Sequence, residues 1–180
     1  MLDWNVVINL NQRGYRRAFS LLRKFGPVGK TDFFNVLVME AEDIPGLLEN
    51  LQKIQSEDPA ALSFLSRLIP LTRTFSFRSP EDFEEKSREV VLAWAPELAG
   101  KGFHVRMHRR GFKGRLSSLD EEHFLDHVLL EALEKTGTPG RITFDDPDAI
   151  VAVETIGQRA GLSLWTREEL RRYPFIRLDS

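Results

Sequence analysis

The sequence has no cysteine among its 180 residues, which excludes disulfides, thiolate metal sites and a cysteine nucleophile together. Its four histidines and its carboxylates remain as metal ligands, and a reducing cytoplasm is the expected location. Long apolar runs are also missing. None approaches the ~20 residues of a membrane span, and the start M-L-D-W-N-V-V-I-N-L has an acid where a signal peptide needs a basic segment, so no membrane partner is expected. No serine lies in a G-x-S-x-G setting and no other nucleophile has an evident base. No catalytic residue, enzymatic activity, metal or cofactor is therefore expected.

One further scarcity is local: residues 101–115, K-G-F-H-V-R-M-H-R-R-G-F-K-G-R, contain no Asp or Glu. They do contain six cations, Lys101, Arg106, Arg109, Arg110, Lys113 and Arg115, in a chain whose formal net charge is only -2. Such a concentration calls for an anionic partner, and nucleic-acid phosphate is the first candidate. A second acid-free block holds Arg13, Arg16, Arg17, Arg23, Lys24 and Lys30, whereas 40–58 and 81–89 are acid-rich. Charge is segregated, so a near-neutral chain can still present a local basic footprint.

The hydrophobic content of 42% is enough for an ordinary core, and periodicity predicts an α/β (α+β) chain in two parts, 1–70 and 71–180. The first reads as a strand over 4–10, a helix over 14–25, a strand over 31–39, a helix capped by Asp43 with Pro45 in its first turn, and a short helix over 60–68. The second reads as a strand over 71–77, a helix opened by Ser79 and Pro80, a strand over 102–108, the basic loop and a helix over 118–135. Strands near 142–144, 149–155 and 160–165 and a helical turn over 167–172 complete it. Phe103, Val105 and Met107 alternate with His104, Arg106 and His108, so the first set is expected in the core and the second facing outward or across an interface.

Several motifs suggest other chemistry. Gly26-Pro27-Val28-Gly29-Lys30-Thr31 resembles the end of a phosphate-binding loop, but Lys24 stands where the first glycine belongs and a strand, not a helix, follows. His123 and His127 are spaced i,i+4 on a helix, a spacing that can grip zinc, and His123-Phe124-Leu125-Asp126-His127 is close to H-x-x-E-H with Asp for Glu. A zinc-dependent hydrolase built on them is one alternative. Asp145, Asp146 and Asp148 suit a hard cation and suit a turn between strands better.

F-H-V-R-M-H-R-R-G, then S-S-L-D-E-E-H-F-L-D-H-V-L-L-E-A-L, then I-T-F-D-D-P-D-A-I-V-A-V-E-T-I-G and the late R-R-Y-P-F-I-R-L-D together resemble a THUMP domain over residues 75–180. The preceding 70 residues resemble the ferredoxin-like domain that THUMP proteins carry on their N-terminal side. The resemblance implies tRNA binding at the acceptor stem and single-stranded 3′ end, on behalf of a modifying enzyme. With the sequence ending at Ser180, the chain is similar to stand-alone THUMP proteins such as the adaptor family of a tRNA acetyltransferase, and the expected partners are tRNA and a separate tRNA-modifying enzyme.

The residues support the same expectation physically. A single-stranded end offers phosphates and unstacked bases, which suit arginine forks and aromatic planes. The expected RNA-binding residues are Arg106, His108, Arg109, Arg110, Phe112, Lys113 and Arg115, with Arg167, Arg171 and Arg172 as a second set beside Tyr173. Replacing Arg109 and Arg110 by alanine is expected to weaken tRNA binding by more than roughly tenfold with the fold intact. Tyr173, Phe175 and Ile176 also suit a role in docking the C-terminus, and Glu154, in an apolar strand, suits pairing with an arginine. A third reading is a protein-interaction scaffold whose basic face meets an acidic partner. Oligomeric state is not set by any of these features.

Overall fold

The computed structural model describes residues 2–179 and divides into two compact units. One comprises the chain up to Pro70 together with Leu170–Leu178; the other comprises Leu71–Glu169 and Asp179. The two-part reading gave all of 71–180 to the second unit, whereas Leu170–Leu178 belongs with the first. The backbone bond from Leu68 N–H to Phe175 O, 3.0 Å, is one of the ties.

The first unit runs β1 (Val6–Leu10), α1 (Tyr15–Leu22), β2 (Val28–Lys30), β3 (Val36–Met39), α2 (Ile44–Glu57) and β4 (Leu65–Pro70). Its sheet has the order β2-β3-β1-β4 with every pairing antiparallel. That is the ferredoxin-like arrangement. Helix α2 starts where expected, because Asp43 accepts a hydrogen bond from Gly46 N–H at 3.0 Å and Pro45 sits where a missing N–H costs nothing.

Two local expectations fail in this unit. Of the strand over 31–39 only Val36–Met39 forms, as β3; the residues before it are the turn from β2, in which Asn35 takes φ 56°. Gly29 and Lys30 pair with Val38 and Leu37, so they lie in strand β2 and not in a loop that opens a helix. The helix over 60–68 is a turn followed by β4. Asp58 does accept from Ala60 N–H at 3.2 Å, as a helix cap would, but the bond closes a turn. Leu65–Pro70 instead pairs with the open edge of β1 and buries Leu65, Leu68 and Ile69. Long-range pairing and burial outweigh a local cap.

The second unit runs β5 (Arg73–Ser76), α3 (Pro80–Trp94), a short 3-10 turn, β6 (Gly102–His108), α4 (Ser118–Lys135), β7 (Arg141–Ile142), β8 (Ala149–Ile156), β9 (Arg159–Thr166) and the start of α5 (Arg167–Arg172). Its sheet has the order β5-β9-β8-β6-β7, parallel at β8-β6-β7 and antiparallel elsewhere. The strand expected near 142–144 is shorter and begins earlier, at Arg141. Ser79 caps α3 by accepting from Asp82 N–H at 3.1 Å, and Ser117 caps α4 by accepting from Asp120 N–H at 3.2 Å. Phe103, Val105 and Met107 enter one core with Phe83, Val91, Leu125 and Leu129. Burying each such side chain fully is worth about 2 kcal/mol.

His104 departs from the outward expectation: its side chain is wholly buried. Nδ1 lies 2.9 Å from Thr143 O and Nε2 3.1 Å from the Asp179 carboxylate. A carbonyl only accepts, so Nδ1 carries a proton, and the carboxylate favours a second on Nε2. Burial pushes this imidazole down, but Asp179 and the Thr143 carbonyl more than offset it and the net direction is upward.

Candidate nucleic-acid interface

The basic loop follows β6 and precedes α4, so whatever fixes those two elements fixes the loop. Strand β7 pairs with β6 only at Gly102 and Phe103. Beyond that point α4 takes the place of a neighbouring strand: Asp126 accepts from Val105 N–H at 3.0 Å and Glu122 accepts from Met107 N–H at 2.8 Å. Four residues of helix rise ~6 Å and two residues of strand ~6.6 Å, so acids at i,i+4 match amides at i,i+2. Both carboxylates are buried. Burial pushes the Asp126 carboxyl up to about 6, against the opposing Val105 N–H bond.

At the root of the loop, Glu154 is fully buried and divides its oxygens between two of the expected RNA ligands. Oε1 accepts from Arg110 at 2.9 Å and Oε2 lies 2.5 Å from His108 Nδ1. The Arg110 backbone is tied as well, through Arg110 N–H to Thr155 O at 3.1 Å and Gly157 N–H to Arg110 O at 2.7 Å. Arg106 is held by Asp179 at 2.6 Å and by Glu122 at 3.6 Å. Burial works against the Asp179 charge, but His104 and Arg106 keep its carboxyl below the usual range. Arg106, His108 and Arg110 thus each have a carboxylate partner at the root of the loop.

The tip is arranged differently. Gly111 at φ 93° and Gly114 at φ 80° turn the chain, with Phe112 between them at φ 54°, and only glycine takes such values freely. Leu116, buried, fastens the far side. The Phe112 ring lies half-buried against Phe77, with centroids 5.2 Å apart. Its other partner is the Arg115 guanidinium, 4.8 Å from the ring centroid. Phe112 is thus the floor under Arg115, and the exposed plane is the guanidinium. Arg109 donates to Gly111 O. Among the described residues, Arg109, Lys113 and Arg115 have no carboxylate within 4 Å. Arg109 and Arg115 line a recess of about 480 Å³ with Ser117, Ser118 and Asp120, at the N-terminal end of α4, where the helix dipole adds positive potential.

The expected second set lies on other elements, Arg167, Arg171 and Arg172 all being in α5. Arg167 bonds Asp146 at 2.8 Å and Asp148 at 3.2 Å, before the start of β8. Because β6 and β8 run parallel, that end of the sheet lies ~20 Å along the strands from the loop. Arg171 and Arg172 belong to the first unit. Arg172 grips Glu49 with Nε at 3.0 Å and Nη2 at 2.8 Å, and Tyr173 donates to Glu49 at 2.6 Å. Arg172 and Tyr173 hold the Glu49 carboxyl below its ordinary value. Tyr173, Phe175 and Ile176 are buried and serve packing. Arg171 is exposed.

Nor do the metal candidates converge. His123 and His127 are exposed, while Asp126 between them points inward to Val105. His127 lies 3.6 Å from Glu131. Asp148 accepts from Gly102 N–H at 2.8 Å and pairs with Arg167. Among the described residues no group of three or more metal-ligating side chains forms. The positioning residues overlooked in the sequence are Glu122, Asp126 and Asp179. Acids four apart beside Leu125 and Leu129, on the core face of a helix, were the signal for the first two.

No family model matches the chain, and no curated protein matches it. Among solved structures the chain is similar to TrmN from Thermus thermophilus, with TM-score 0.61 and 18% identity, covering 89% of this chain and 44% of that one. It is similar to PH1313 from Pyrococcus horikoshii OT3, with TM-score 0.59 and 11% identity over 89% of this chain and 53% of that one. It is also similar to a 4-thiouridine synthetase solved in complex with RNA and bound ATP, with TM-score 0.53 and 11% identity, covering 89% and 41%. The chain spans about half or less of the length of these proteins. At such identities the likeness is one of fold, and the fold is a THUMP-like α/β arrangement.

Proposed function

We propose that this protein binds RNA through the loop between β6 and α4, holds the acceptor stem and 3′ end of tRNA, and presents them to a separate tRNA-modifying enzyme without catalysing the reaction itself. The observation that carries the reading is the division of labour in the loop. Arg110 and His108 are anchored on buried Glu154, leaving Lys113 and the Phe112-backed Arg115 exposed without acidic partners. An arginine plane held by a ring is suited both to stacking on an unpaired base and to binding phosphate. The 4-thiouridine synthetase solved with RNA lends support, because its fold is similar. An acetyltransferase is one candidate for the enzyme partner, on the resemblance to the adaptor family.

The test is binding of an unmodified tRNA transcript at near-physiological salt, compared with a transcript trimmed of its single-stranded 3′ end. Tight binding that is lost on trimming is expected. Equal binding to both would place recognition elsewhere on the RNA, and no binding would overturn the reading.

A further inference from the structure

Resting on the reading that the partner is RNA, we propose that helix α1 of the ferredoxin-like unit is a second binding surface, which takes the ribose-phosphate backbone independently of the β6–α4 loop. Five of the six cations of the acid-free block gather at one helix, Lys30 alone lying in β2. Arg13, Arg16, Arg17, Arg23 and Lys24 lie on or beside α1, and all are exposed. Among the described residues none has a carboxylate within 4 Å. Cations on ordinary solvated helices usually pair with acids one turn away, and here none is present to pair.

The surface is shaped as well as charged. Arg16, Arg17, Ser20 and Lys24 border a groove of about 400 Å³ whose floor includes Ile54 and Phe64. Arg17 is fixed in it: its guanidinium lies 5.5 Å from the Phe64 ring centroid and donates to Ser63 Oγ at 3.1 Å and Ala60 O at 3.4 Å. Arg16 and Ser20 stand four positions apart on one face of α1, and Lys24 follows in the turn just past the helix end, bordering the same groove. A row of cations and a hydroxyl, over an apolar floor that accepts sugar carbons, suits a backbone crossing the helix. It offers no base-edge pattern, so this surface adds affinity without sequence preference.

The experiment compares the full chain, an Arg16→Gln/Arg23→Gln/Lys24→Gln variant and a Lys113→Gln/Arg115→Gln variant for binding to one tRNA transcript over a salt series. Arg17 is left in place because it bonds Ser63 and Ala60. The α1 variant is expected to keep the thermal midpoint, lose about tenfold or more in affinity, and lower the magnitude of the log–log salt slope by roughly 2 to 3. Wild-type affinity and slope in the α1 variant would overturn this proposal while leaving the loop reading intact. Loss in the α1 variant with none in the loop variant would sustain it and overturn the loop reading. Absence of RNA binding by the full chain, with capture of an acidic protein by α1, would overturn both.

Discussion

The carboxylate of Asp126 accepts the Val105 N–H at 3.0 Å, so a helix side chain completes the ladder of a strand whose neighbour has ended. Together with Glu122 on Met107 N–H, it sets the distance from the end of β6 to the start of α4. The loop that carries Lys113 and Arg115 spans that distance.

Asp126→Ala is expected to destabilise the protein by about 1–3 kcal/mol, the usual cost of leaving a buried N–H without an acceptor. Asp126→Asn keeps an acceptor oxygen and removes a buried charge, so it should equal or exceed the wild type near neutral pH. Urea unfolding of both variants at pH 7 checks this, and equal losses in the two would show that the Val105 bond is not what matters.

Glu121, buried at the start of α4, has its carboxyl pushed up to about 8 by burial and then by Glu84, Asp120 and Glu81 nearby. The folded state therefore holds this proton more tightly than the unfolded chain, whose glutamate titrates near 4.3. Its contribution to stability is fully present below the unfolded pKa and is lost as pH rises through the folded one. Unfolding free energy should fall between about pH 4.5 and 8, and Glu121→Gln should flatten that slope. A variant as pH-sensitive as the wild type over this window would refute the assignment.

Arg110→Ala is expected to cost about 1–3 kcal/mol, because buried Glu154 loses its partner at Oε1 while His108 stays at Oε2. The pair of changes Arg109→Ala and Arg110→Ala therefore confounds folding with binding. Calorimetric midpoints of Arg110→Ala and Arg109→Ala measured separately should differ clearly, with the loss concentrated in the first.

Lys113→Ala with Arg115→Ala is expected to leave the thermal midpoint unchanged, lower tRNA affinity by about tenfold and reduce the salt slope by roughly 1 to 2. Arg115→Lys keeps the charge and discards the plane over Phe112. It should preserve the slope while losing part of the affinity for a transcript with an intact 3′ end, as titrations by fluorescence anisotropy would read.

Much of the local architecture was legible in the residues alone. Strand β6 shows in the alternation of Phe103, Val105 and Met107, and α3 and α4 show in their serine starts and apolar faces, because capping and periodicity are short-range effects. Strand β4 was not legible. Asp58-Pro59 reads as a helix start, and nothing nearby reveals that the edge of β1, more than fifty positions earlier, needs a partner.

The same boundary divides the candidate site. Sequence by itself determined that residues 101–115 are cationic and acid-free, and that a Gly-bounded loop follows a strand of alternating residues. Only tertiary structure decided which cations face solvent. His104 meets Asp179 across 75 positions and Arg110 meets Glu154 across 44, and a buried charge must find a partner wherever the fold supplies one. Charge density is additive along a chain and can be counted, whereas burial and pairing depend on which distant segments the core brings together.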